Sequence, residues 1–117
     1  MNKSSESSFL LRMFADPFQS RAWQPTMDVY RTRTGWLLKF ELAGVRLDDV
    51  KLELSQRTVK LSGARRDLVC GESCVHHAME IAYSHFERSV ELPCDLTKAR
   101  ISSQISEGML LVEIVTS

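Results

Sequence analysis

The sequence predicts an all-β protein, a β-sandwich carrying a short, weakly structured N-terminal arm. Three observations predict it. From residue 27 onward apolar and polar residues alternate, the period of strands with one buried face. The alternating runs have the usual strand length of about five to eight residues. Turn signals divide them at Thr34-Gly35, Gly44, Gln56-Arg57, Gly63, Pro93 and Glu107-Gly108. Many short strands with regular turns fold as a sandwich.

In chain order, residues 1–25 make the arm and 26–117 the folded domain. Residues 1–8 are polar and Ser-rich, and Phe9, Leu10, Leu11, Met13, Phe14, Phe18 and Trp23 follow, broken by Pro17 and Pro25. Pro17 disfavours helix at Asp16, and so short a segment does not hold a helix alone. The alternative is a short helix packed on its own domain. The first strand is expected over Met27 to Arg33. In the second, Trp36, Leu38, Phe40 and Leu42 share one face, with Lys39 and Glu41 on the other. Val50 to Ser55 and Thr58 to Gly63 alternate in the same way, followed by Phe86 to Leu92, Ala99 to Ile105 and Met109 to Val115. Met109-Leu110-Leu111-Val112 is apolar on both faces, which predicts a central strand or one whose second face meets a partner.

Two features depart from this rhythm. Residues 64–79 form a long segment without a clear pattern, and loops of this length usually have a purpose or are mobile. Within it, Ser73 to Ile81 is expected as a further strand. Arg88 lies on the face of Phe86, Val90 and Leu92, so the alternation predicts a buried guanidinium. Such a group needs a carboxylate and several hydrogen bonds, and Glu72 and Glu80, on this chain or a partner's, are the candidates. The alternative is an arginine that snorkels to the sheet edge.

Composition bounds the function. The chain has 117 residues, 44% hydrophobic and 26% charged, enough for one ordinary globular domain. Fifteen basic residues balance fifteen acidic ones, which disfavours nucleic acid as a partner and permits self-association. With no apolar run of about 18 residues there is no membrane-spanning helix, and the start lacks the apolar stretch of a secretory leader. Three cysteines, an odd number, argue against a disulfide scaffold and for a cytoplasmic location. Phosphate-binding loops, dinucleotide fingerprints and nucleophile elbows are absent from the sequence. Asp48-Asp49 reads as a solvated pair at a turn. The expectation is a protein with no enzymatic activity and no cofactor. Cys70, Cys74, His76 and His77 are four soft ligands in one loop, whereas structural zinc sites draw theirs from separated knuckles. The segment therefore reads as an exposed polar loop, not a metal site, with Cys70 and Cys74 open to oxidation. Cys94, after Pro93, reads as structural.

The motifs now line up with a family. Trp23-Gln24-Pro25-Thr26-Met27-Asp28-Val29-Tyr30 resembles the Trp-x-Pro-x-x-Asp-x-Tyr entry of bacterial small heat-shock proteins. Gly35 to Val45 resembles their second strand and Pro-Gly-Val turn, with Ala43 in place of the proline. Val59-Lys60-Leu61-Ser62-Gly63-Ala64-Arg65 is similar to the Leu-x-Ile-x-Gly-x-Arg strand, and Phe86-Glu87-Arg88 with Leu92-Pro93 to the Phe-x-Arg and Leu-Pro signature. Gly108 to Ile114 resembles the Gly-Val-Leu-x-Val-x-Ile of the last strand. The likeness runs in order over residues 23–115.

The resemblance implies an α-crystallin domain, an immunoglobulin-like β-sandwich, and an ATP-independent holdase that binds partly unfolded proteins and limits their aggregation. It implies that the segment near Ser73–Ile81 pairs with a partner subunit, placing Val75, His77, Met79, Glu80 and Arg88 at a homodimer interface. It also implies a groove lined by Val50, Leu52 and Leu54 on one side and Ile101 and Ile105 on the other. The family's C-terminal extension, whose Ile-x-Ile fills that groove on a neighbouring dimer, is lacking before the chain stops at Ser117. The expected assemblies are therefore homodimers, small oligomers or co-assemblies with a related subunit. Phe9, Leu10, Leu11, Phe14, Phe18 and Trp23 are expected to bind clients, each worth about 1.5–3 kcal/mol if fully buried. The alternative is a binding module like the CS-domain co-chaperones, docking on another chaperone.

Overall fold

The computed structural model describes residues 23–67, 69 and 73–116. Seven strands form: β1 (Met27–Arg31), β2 (Gly35–Glu41), β3 (Val50–Ser55), β4 (Thr58–Ala64), β5 (His85–Glu91), β6 (Arg100–Ser106) and β7 (Met109–Val115). A 3-10 turn, Leu47–Asp49, precedes β3. They make a four-stranded sheet ordered β1-β2-β7-β6 and a three-stranded sheet ordered β3-β4-β5. All these pairings are antiparallel. Among the described residues no helix is long and apolar enough to cross a membrane.

The period-two faces become the core. Leu38 and Phe40 of β2, with Leu110, Val112 and Ile114 of β7, face Val59 and Leu61 of β4 and Phe86 of β5, all buried. Leu42, Val45, Leu92 and Leu96 close the cluster from the connections. β7, apolar on both faces, lies between β2 and β6, the central placement its composition allows. Strand ends differ from expectation by one or two residues, each where a turn takes over. β1 stops at Arg31 because the Thr32 N–H donates to the Gly35 carbonyl across a tight hairpin. β6 begins at Arg100 because the Ala99 N–H donates back to Leu96.

Two turns show why their residues are there. Gln56 and Glu107, each at the tip of a two-residue hairpin, have φ of 53° and 52°. Gly108 follows at 78°, a left-handed conformation open to glycine without strain. In the turn after β2, the Val45 N–H donates to the Leu42 carbonyl at 3.1 Å, with Gly44 at φ 80°. That turn closes with Ala43 where the resembled family has proline, because its third residue is the one that needs positive φ.

Candidate interaction surfaces

Four strands are sheet edges: β1, β6, β3 and β5. Edge strands present unpaired backbone groups and are natural sites for strand addition. On β3 the expected groove residues Val50, Leu52 and Leu54 alternate with exposed ones, half-buried against the core. On β6, Ile105 also packs against that core, whereas Ile101 is 39% exposed. The other side chains of β6 are all exposed.

The segment expected as an eighth strand forms none. Residues 73–81 contain no ladder pair, and each is exposed. A strand needs a second strand for its N–H and C=O groups, and neither sheet of this chain supplies one. The consequence is an unusual surface: Val75 is 91% exposed, Met79 50% and Ile81 60%. His77 and Glu80 are exposed beside them. Two apolar side chains of edge strand β1, Val29 and Tyr30, are exposed as well.

Arg88 points to the apolar side of β5, as the alternation required, but it is half-buried and not fully buried. Among the described residues its hydrogen-bond partner is a backbone carbonyl: Nη1 donates to the Pro25 carbonyl at 2.9 Å. Pro25, whose carbonyl accepts that bond, is itself fully buried. Glu80 is exposed, and Glu72 lies outside the described residues.

Trp23 corrects the picture of the arm. Expected to be offered to misfolded chains, it is half-buried on the sandwich. Its N–H donates to the His85 carbonyl at 2.7 Å, and its carbonyl accepts from the Glu87 N–H at 3.1 Å, a parallel bridge to Phe86. Its ring meets Phe86 edge-on, 5.6 Å between centroids at 81°, the arrangement that the ring quadrupoles favour. Phe9, Leu10, Leu11, Phe14 and Phe18 lie outside the described residues.

Arg65 completes this corner, and sequence reasoning assigned it no role. Its guanidinium carbon sits 3.9 Å from the Trp23 ring centroid. Nε donates to the Ala82 carbonyl at 2.9 Å and Nη1 to the Ala43 carbonyl at 3.2 Å. The only available signal was its place in the Gly-x-Arg motif that ends β4. Asp48-Asp49 is also less simple than a solvated pair: Arg66 Nη2 donates to both Asp49 oxygens, at 3.0 and 2.9 Å. Among the described residues no cluster of three or more His, Cys, Asp or Glu could hold a metal. Cys94 is a free thiol, whereas Cys74, one of the two cysteines expected to be open to oxidation, is disulfide-bonded.

Comparison with known proteins adds lineage to this geometry. Residues 28–117 match the Hsp20/alpha crystallin family. Small heat shock protein C2 of Rickettsia felis is 24% identical over 90 residues, 77% of this chain and 58% of that protein. Spore protein SP21 of Stigmatella aurantiaca is 26% identical over 101 residues, 86% of this chain and 60% of that protein. The chain thus spans somewhat over half the length of these relatives. HSP18.5 from E. histolytica superposes with a TM-score of 0.68 at 29% identity, covering 81% of this chain and 89% of that one. Heat shock protein 16.0 from Schizosaccharomyces pombe superposes at 0.70 with 22% identity, covering 80% and 87%, a likeness of fold.

Proposed function

The chain belongs to the Hsp20/alpha crystallin family, and from that premise we propose that it is an ATP-independent holdase. It binds partly unfolded proteins and keeps them from aggregating, as a cytoplasmic homodimer or small oligomer. The family consists of ATP-independent chaperones, not enzymes.

The observation that carries the reading is where the apolar side chains lie. The sandwich closes its own core, yet Val75, Met79 and Ile81 stand exposed on a loop beside it. The sequence adds Phe9, Leu10, Leu11, Phe14 and Phe18 ahead of the sandwich. Apolar groups that lie outside a closed core suit clients without a common shape. In this reading the loop serves the second subunit, with Val75, His77, Met79 and Glu80 at the interface and Arg88 near it. The residues ahead of Trp23 serve the client, and the half-buried groove of Val50, Leu52, Leu54, Ile101 and Ile105 receives an apolar peptide. Several side chains burying about 1.5–3 kcal/mol each reach micromolar binding after ordering losses.

The test is light scattering from a heat-labile client mixed with an equimolar amount of this protein, without ATP. The expected result is suppressed scattering, reduced when residues 1–22 are deleted. Full scattering in the presence of the folded chain would sink the holdase reading, and equal suppression by the deleted form would sink the arm.

A further inference from the structure

We infer that Arg65 is a mechanical coupling between the segment that enters the sandwich at Trp23 and the loop that returns to it at Ala82–Ser84. Arg65 is the first residue after β4. From there one side chain reaches three parts of the chain remote in sequence. It stacks on Trp23 at 3.9 Å. It donates to the Ala82 carbonyl at 2.9 Å and to the Ala43 carbonyl at 3.2 Å. Its own N–H donates to the Ser84 carbonyl at 2.9 Å, so backbone and side chain hold the same loop end.

The geometry suits arginine alone. A planar guanidinium stacks its face on an indole while its edge donates in the plane. Here the face is occupied by Trp23 and the edge by two carbonyls, so each contact orients the group for the others. Trp23 is tied to β5 by the His85 carbonyl, the Glu87 N–H and the Phe86 ring, and to the loop return through this cation. Pulling Trp23 off β5 leaves the guanidinium without its platform and frees the Ala82 carbonyl. Opening the loop removes the donors' partner and frees the guanidinium from the indole. The two movements are therefore linked, and linkage is reciprocal.

The consequence rests on the reading above: if residues before Trp23 meet the client and the loop meets a second subunit, engagement of one loosens the other. The coupling itself needs neither and is measured without them. Hydrogen exchange on the full chain reads it at two amides, Trp23 N–H for the entry and Arg65 N–H for the loop return. The variants are Trp23→Leu, Arg65→Gln, Arg65→Lys and the double Trp23→Leu/Arg65→Gln. Trp23→Leu is expected to speed exchange at Arg65 N–H about fivefold, the worth of an exposed cation–π contact of about 1 kcal/mol. Arg65→Gln is expected to speed exchange at Trp23 N–H by a similar factor. Arg65→Lys should resemble Arg65→Gln, because a point charge cannot stack and fork together. The double variant should be no worse than either single one. Changes confined to the substituted residue's own neighbourhood, or full additivity in the double variant, would overturn the coupling. A parent chain that gives clients no protection while showing these exchange effects would count against the holdase reading and leave the coupling standing. If Trp23→Leu fails to fold, Arg65→Gln alone decides: unchanged exchange at Trp23 N–H refutes the coupling.

Discussion

β7 and the loop between β4 and β5 use similar side chains to opposite ends. On β7, Leu110, Val112 and Ile114 are buried to 0% exposure, with a strand on either side and a second sheet opposite. On the loop, Val75, Met79 and Ile81 stand exposed, with neither a neighbouring strand nor a covering layer among the described residues. The difference teaches that burial here is decided by what the topology places opposite a residue, and composition alone does not decide it. One region is complete in a single chain, and the other is the one proposed to meet a second.

The comparison breaks most visibly in the core. Phe86→Ala removes a fully buried ring that also supports Trp23, and should cost about 3–5 kcal/mol in urea unfolding. Gly63→Val should cost about 1–3 kcal/mol by overpacking, because a Cβ there collides with the Asp49 carbonyl and the Phe86 ring. Arg88→Ala leaves the Pro25 carbonyl without its donor and should cost about 1–3 kcal/mol. An unchanged urea midpoint for that variant would show that water replaces the guanidinium. By contrast, Val75→Ser touches nothing in the sandwich and should alter single-chain unfolding by less than about 0.5 kcal/mol.

The smallest effect is electrostatic. The Thr97 N–H donates to Asp95 Oδ1 at 3.0 Å, and this bond to the charged form holds the Asp95 carboxyl below its ordinary pKa. A lowered folded-state pKa contributes stability above the unfolded-state value, lost as pH falls through the lower one. Asp95→Asn should therefore melt slightly below the parent at neutral pH, with the gap closing in acid. A constant gap across that range would assign the effect to the turn's shape instead.

Much of this was legible in the sequence, because alternation reports burial directly. The inward faces of β2, β4 and β7 followed from period two, and so did the orientation of Arg88. What was not legible came from contacts between distant residues. No spacing rule links Arg88 to Pro25, or Arg65 to Trp23, Ala43 and Ala82, so a carboxylate was sought for the first and no role was seen for the second. Trp23 was grouped with the arm because it lies among apolar residues outside the strands. Its backbone bridge to β5 is a tertiary fact. Residues 73–81 read as a strand because their pattern permits one, but a pattern cannot supply the partner strand.

The central claim is that the sandwich is complete in one chain and the exposed loop is the seat of a second. Sedimentation of the full chain beside a Val75→Ser/Met79→Ser/Ile81→Ser variant tests it most directly, with far-ultraviolet circular dichroism confirming that both keep their sheets. The account predicts a parent that sediments as a dimer or larger and a variant that falls to the single-chain mass at the same concentration. An intact assembly in the variant, or a parent that is a single chain throughout, would contradict it.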